Sequence, residues 1–224
     1  MTTSNKNKLN NGAILKNFKS QIIEKQSEIV DIMTVVIGSM SIMGVCLVLL
    51  LTLAKNASDA NIIIFSAFSL LIGFIIFPIC ILKKRYNFNF SEIGVKKTKL
   101  DFLLILKIVI TITIFFLLTK RYDNNEILKL VILQNISVAI AEEFLYRGVV
   151  TYLLEKIVNK RSLAHIISGL IFVFVLHSGE SLLENMIYRL PITVLLCAIY
   201  YKLKDLKDTI VIHWLYNVFA SSFV

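Results

Sequence analysis

Two adjacent glutamates, Glu142 and Glu143, stand with Arg147 in the run Ala141-Glu142-Glu143-Phe144-Leu145-Tyr146-Arg147, inside a stretch that otherwise reads as membrane-spanning helix. A charged side chain at bilayer depth costs roughly 2.5–3.5 kcal/mol on insertion scales, so a pair of acids kept side by side points to function. On a helix Glu143 and Arg147 are four residues apart with the acid on the N-terminal side, the favourable order for an ion pair. Glu142 points about 100° away from Glu143. It is therefore left free to act as a general base. The alternative is that both acids pair with basic side chains and only hold a bundle together. Further along, His177 ends the apolar run Ile166–His177, where by itself it reads as an interfacial residue. His213 and Asn217 are four residues apart in an apolar segment and share one helix face, able to address the same point or to hydrogen-bond between helices.

The elements that would carry these residues follow from composition. Of 224 residues, 57% are hydrophobic, and the mean hydropathy is +0.76, which excludes an ordinary soluble domain. The expected fold class is all-α, a polytopic transmembrane helical bundle. Because about 20 apolar residues cross the hydrocarbon core, the runs Ile32–Ala54, Ile62–Leu82, Phe102–Thr119, Ile127–Val158, Ser162–His177, Met186–Tyr201 and Thr209–Val224 make about seven segments. Ser178–Asn185 reads as a polar break. Ile127–Val158 is longer than one span needs, so it is either a tilted helix or a span followed by an interfacial helix. Residues 1–30 read as a polar cytoplasmic N-terminal extension and 31–224 as the transmembrane domain, the first helix being retained as an anchor because no cleavage site precedes it.

The net charge of +9 is spread over short connections rather than gathered on one face with aromatics, so it speaks for topology and anionic lipid and against nucleic acid. Lys and Arg concentrate before the first run, after the second and fourth, and before the last. By the positive-inside rule the N-terminus is cytoplasmic and the C-terminus lies on the far side of a cell membrane. Cys46, Cys80 and Cys197 fall inside apolar runs at no metal or redox spacing and read as packing residues. The Lys/Asn/Ile-rich composition looks like that of a low-GC bacterium.

In order, Glu142-Glu143-x-x-x-Arg147, then His177, then His213-x-x-x-Asn217 resembles the CPBP family of intramembrane proteases, which includes CAAX prenyl endopeptidases and the bacteriocin-processing or immunity proteins also called Abi proteins. The resemblance covers roughly Phe90 to Phe223, including Ser91–Val95, which looks like the lead-in segment of relatives. It implies that Glu142 and His177 activate a water while His213 and Asn217 stabilise the oxyanion, with Glu143 and Arg147 in support. It implies an intramembrane endopeptidase acting on a peptide or membrane-associated protein, in bacteriocin processing, self-immunity or peptide signalling. The family usually places Phe four residues before its second-motif histidine, whereas this chain has Val173 there, flanked by Phe172 and Phe174. Zinc held by Glu142, His177 and His213 is chemically sound, since two His and one Glu form a known catalytic set. The His-Glu-x-x-His signature is absent, so no cofactor and a metal-free glutamate mechanism are preferred.

Two other functions compete. One is a non-catalytic immunity or interaction protein on the same fold. The other is a transporter, against which stands the lack of repeat symmetry or paired Gly/Pro interruptions, Pro78 and Pro191 lying in unrelated contexts. A difficulty of depth also stands. His177 lies 16 residues beyond Arg161, but His213 only 6 beyond Lys207. If both helices begin at the same surface, the two imidazoles are separated by roughly 15 Å. Either the segment after Lys160 begins outside the bilayer, or the last helix is set deeper with its lysines snorkelling.

Overall fold

The computed structural model describes residues 3–54, 57–96 and 126–221, with positions 106, 109–110, 113–114 and 117 between them. Six helices are followed end to end, and no strand occurs among the described residues. They are α1 (Thr3–Leu53), α2 (Asp59–Arg85), α3 (126–157), α4 (Arg161–Leu176), α5 (Leu182–Leu203) and α6 (Leu206–Ser221). The N-terminal extension is thus helical and continuous with the first span. Among the described residues three stretches are long and apolar enough to cross a membrane, Lys25–Leu53, Asp59–Arg85 and Leu182–Leu203, so about seven is not reached there. Arg161–Leu176 is an apolar helix below spanning length, and the expected span Phe102–Thr119 lies outside the described residues apart from isolated positions. The glutamate-bearing run is one unbroken helix, which decides between its two readings.

Four helices contain π-helical turns, at Leu71–Ile76 in α2, Phe144–Val150 in α3, Phe172–Leu176 in α4 and Asn185–Arg189 in α5. In α2 and α5 the turn stands next to a proline, Pro78 or Pro191, which has no N–H to give to the helix ladder. The expected polar break is shorter than its composition suggests. Ser181 caps α5 by accepting the Glu184 N–H at 3.2 Å while Glu184 reaches back to the Ser181 N–H at 3.0 Å, so Leu182–Glu184 already form the first turn.

The core is built around α3. Leu145, Tyr146, Val149, Val150 and Leu153 are fully buried against Val35 and Phe74 from the first two helices, and against Phe172 and Val173 from α4. Helices α1 and α2 cross closely, since a Cβ on Gly73 would stand 2.7 Å from the Ser39 carbonyl oxygen. Small residues at such crossings let backbones approach where lipid supplies no hydrophobic drive.

The segment Ser91–Val95 is a structural floor for the end of the bundle. Gly94 adopts φ +81° and accepts the Leu206 N–H at 3.1 Å, while Ile93 is buried beside Gly148. A Cβ at Gly94 would stand 2.6 Å from the Tyr200 ring. Gly94→Ala should therefore destabilise the protein by about 1–3 kcal/mol, through both the left-handed backbone and the clash, read as a lowered melting temperature in detergent. Gly44→Ala, where a Cβ meets nothing within 4 Å, serves as the neutral control.

Candidate active site

Helices α3 and α6 pack antiparallel, and their register sets the site. Leu206 touches the Gly148 position, His213 contacts Glu143, and Asn135 donates to Ser221 at 3.4 Å. Trp214 locks this arrangement by donating its indole N–H to the Ile132 carbonyl at 3.1 Å, above a small cluster with Ala139 and Val218.

Glu143 is the centre of the charge balance. It is fully buried, and its Oε1 lies 3.0 Å from Arg147 Nη1 and 2.8 Å from His213 Nδ1. The expected i,i+4 ion pair is present. Its distance is short but its direction is off a hydrogen-bond axis, leaving the guanidinium to rest on the Phe172 face, 4.3 Å from the ring centroid. His213 donates from Nδ1 to Glu143 and turns Nε2 toward Glu142, 3.6 Å from Oε2. That gap is too wide for a strong direct bond and is of the kind a water bridges. Asn217 stands one turn further on α6, half-buried, and its side chain takes no part in this cluster among the described residues.

His177 joins the site through Phe172. The Phe172 ring meets His177 edge-on at 5.0 Å, His213 at 5.9 Å and Tyr146 at 5.3 Å. Val173 occupies the position where the family resemblance leads one to expect Phe, yet the π turn Phe172–Leu176 adds one residue to the last turn of α4. Five residues of π-helix turn through nearly the angle that four turn through in an α-helix, so Phe172 stands where an i−4 aromatic would. The departure in spacing is thereby compensated in the backbone. The His177 ring is held between two further groups. Glu180 Oε1 lies 3.5 Å from Nδ1, Arg189 Nη1 lies 3.4 Å from Nε2, and Arg189 also grips Glu180 in a tight ion pair. Asn185 fixes the chain by donating to the His177 carbonyl at 2.9 Å.

The two histidines reach the same Phe172 ring because the helices begin at different levels of the bundle. Arg161 and His165 of α4 lie beside Glu155 at 3.1 and 3.3 Å, and Glu155 is twelve residues past Glu143 on α3. Twelve residues is roughly 18 Å, and His177 returns that distance by lying twelve residues past His165. Helix α6, by contrast, starts opposite Gly148, about 10 Å nearer the glutamates. The offset between the two helix starts is what either reading required, and Lys204 reaches back to Glu155 at 3.4 Å.

Phe172, Tyr146, Glu180 and Arg189 were not legible as site residues. The first two are ordinary apolar filling in a sequence, and the last two fall in and just beyond what reads as a polar break. Tested as a metal set, Glu142, His177 and His213 do not fit as they stand. Arg189 places a cation at His177 Nε2, His213 Nδ1 is committed to Glu143, and no three His, Cys, Asp or Glu side chains converge as ligands among the described residues.

Residues 124–219 match the family described as Rce1-like, type II CAAX prenyl endopeptidase. This stretch holds Glu142, Glu143, Arg147, His177, His213 and Asn217, so the resemblance to CAAX proteases read from those motifs is upheld there. No curated protein and no solved structure matches the chain.

Arg147→Ala should strip Glu143 of its permanent cation and destabilise the fold by about 3–5 kcal/mol, seen as poor accumulation and a lowered melting temperature. Adding Glu143→Gln to that variant should restore part of the loss, since it removes the buried charge left unmatched.

Proposed function

We propose that this chain, CAAX-protease-like over residues 124–219, is an intramembrane endopeptidase that hydrolyses a peptide or membrane-associated protein with a glutamate-activated water. The observation that carries the reading is the facing of Glu142 Oε2 and His213 Nε2 across 3.6 Å, in a site where Glu143 and Arg147 balance the buried charge. Base and electrophilic donor thus share one point, and peptide hydrolysis needs both at the same carbonyl.

In this mechanism Glu142 accepts a proton from the water as its oxygen attacks the scissile carbonyl, with His177 assisting. The electron pair displaced from the carbonyl becomes an oxyanion, which His213, carrying a proton on each ring nitrogen, and Asn217 stabilise as donors. Collapse breaks the C–N bond, and the proton held by Glu142 passes to the leaving amine. Glu143 fixes the His213 ring through Nδ1, the part played by the third member of a catalytic triad. Arg147 makes the buried carboxylate tolerable. Glu180 and Arg189 orient His177 from its other side. No step is assigned to a metal.

The wider setting follows from charge and composition. Lys96, Lys156, Lys204, Arg85 and Arg161 gather around Leu203, Tyr86, Glu155 and Asp31 at one end of the bundle. By the positive-inside rule that end is the cytoplasmic one. Bacteriocin processing, self-immunity and peptide signalling in a bacterium are the roles proposed for the cleavage. The genomic neighbours would name a candidate, because a small peptide gene alongside is the expected substrate source.

The test uses purified full-length protein in phospholipid nanodiscs with internally quenched peptides, including ones bearing a prenylated C-terminal CAAX sequence. Glu142→Gln, His177→Ala and His213→Ala should each lower kcat/KM by at least about 100-fold while the protein accumulates normally. Undiminished cleavage by Glu142→Gln would remove the catalytic assignment, and survival of the cellular phenotype in all three variants would instead mark a binding protein. Stoichiometric zinc in the active preparation, with activity lost on chelation, would overturn the metal-free mechanism.

A further inference from the structure

Tyr146 is a residue of the site whose functional group the mechanism leaves unused. Its ring is fully buried and packs edge-on against Phe172, the same ring that meets His177, His213 and the Arg147 guanidinium. Its main chain is held unusually firmly. In the π turn Phe144–Val150 the Tyr146 carbonyl takes the Thr151 N–H, and it also accepts from two side chains, Ser168 Oγ at 2.6 Å and Thr151 Oγ1 at 2.9 Å. One donor comes from α4 and the other from α3, so the residue is pinned between the two helices that carry Glu142 and His177. The phenol Oη, by contrast, is buried with no hydrogen-bond partner among the described residues. It lies within electrostatic reach of the Glu142 carboxylate and of Arg147.

A buried hydroxyl without a partner is destabilising, and each one kept in a native structure calls for an explanation, a catalytic role among them. The fold therefore fixes the backbone of Tyr146, locks its ring and leaves only its donor open. Nothing in the packing requires the hydroxyl, since Phe would make the same edge-on contact with Phe172.

We propose that Tyr146 Oη is a catalytic residue, a hydrogen-bond donor to the oxyanion of the tetrahedral intermediate alongside His213 and Asn217. The inference rests on the endopeptidase reading and deepens it. The new C–O bond forms from the water, whose proton goes to Glu142. The carbonyl π pair moves onto oxygen, and Tyr146 shares its proton with that oxygen without giving it up. When the C–N bond breaks, the oxygen returns to a carbonyl and the phenol is released unchanged. Such a donor strengthens its bond as charge develops and so acts on kcat rather than on substrate binding.

The experiment compares wild type with Tyr146→Phe in the same nanodiscs and with the same quenched peptides, adding a peptidyl phosphinate as a tetrahedral oxyanion mimic. Loss of one such donor should lower kcat on the order of 100-fold. KM should stay within about twofold, and phosphinate affinity should weaken in step with kcat. The melting temperature should hold or rise, because the substitution removes an unpartnered buried hydroxyl. An active wild type with undiminished kcat in Tyr146→Phe would overturn this inference and leave the endopeptidase reading standing. A kcat loss matched by a fall in melting temperature, with phosphinate affinity unchanged, would assign the hydroxyl a structural role and also overturn it. A wild type that cleaves none of the peptides and does not bind the phosphinate would remove both.

Discussion

The Glu143 carboxylate, shared between Arg147 on its own helix and His213 on another, is the constraint on which the site depends. Removing an ion from water is expensive, and an uncompensated carboxylate in this core would be among the least stable groups in the chain. Arg147 supplies a charge that cannot be lost, and its guanidinium gains a second partner in the Phe172 face. His213 then binds through Nδ1, which settles where its other nitrogen points. Because Arg147 is held by Glu143, and Phe172 by Arg147, the orientation of His177 against Phe172 follows from the same carboxylate. One acid organises the site so that its neighbour can react.

The π turns are the backbone device that brings this about. Each adds a residue to a helix without ending it, rotating everything beyond it and freeing a carbonyl from its usual donor. In α4 the rotation restores a Phe–His contact that the spacing of the sequence had lost. In α3 the turn begins directly after Glu143 and ends past Gly148, so it lies under the charge pair and ahead of the close approach to Leu206. There the Tyr146 carbonyl takes the Thr151 N–H in the π register and also accepts from the Ser168 and Thr151 hydroxyls. These two hydroxyls show why small polar residues belong in an otherwise apolar core: they make an irregular helix affordable where water is excluded.

How much of this could be read beforehand depends on the range over which each feature is determined. The ion pair Glu143–Arg147 and the stacking of His213 over Asn217 are local consequences of helical spacing, and such geometry is legible from sequence. The contact of His213 with Glu143 is not, because two helices 70 residues apart meet only once a register is chosen. The Phe172 contact was hidden for another reason. Periodicity arguments assume 3.6 residues per turn, and a single π turn breaks the assumption without leaving a compositional mark. Counting apolar residues treats every apolar run as a span, whereas Arg161–Leu176 is an apolar helix below spanning length.

The depth of α6 shows how a segment remote from the chemistry sets it. A helix that starts part of the way into a bundle exposes its first N–H groups to an environment without water, where each unpaired donor is costly. The lead-in segment Ser91–Val95 removes that penalty for Leu206, whose N–H is taken by Gly94, and Lys96 covers the end of α5 by donating to the Leu203 carbonyl at 2.7 Å. Lys204 closes α5 in the left-handed conformation, φ +47°, which shortens the connection so that α6 begins two residues later. Without that floor, the basic residues Lys204 and Lys207 would draw the start of α6 out to the level of Glu155. His213 would then sit about 10 Å from Glu143, the difference between the two starting depths. The turn around Gly94 therefore belongs to the active site in an energetic sense, although it touches none of the reacting groups.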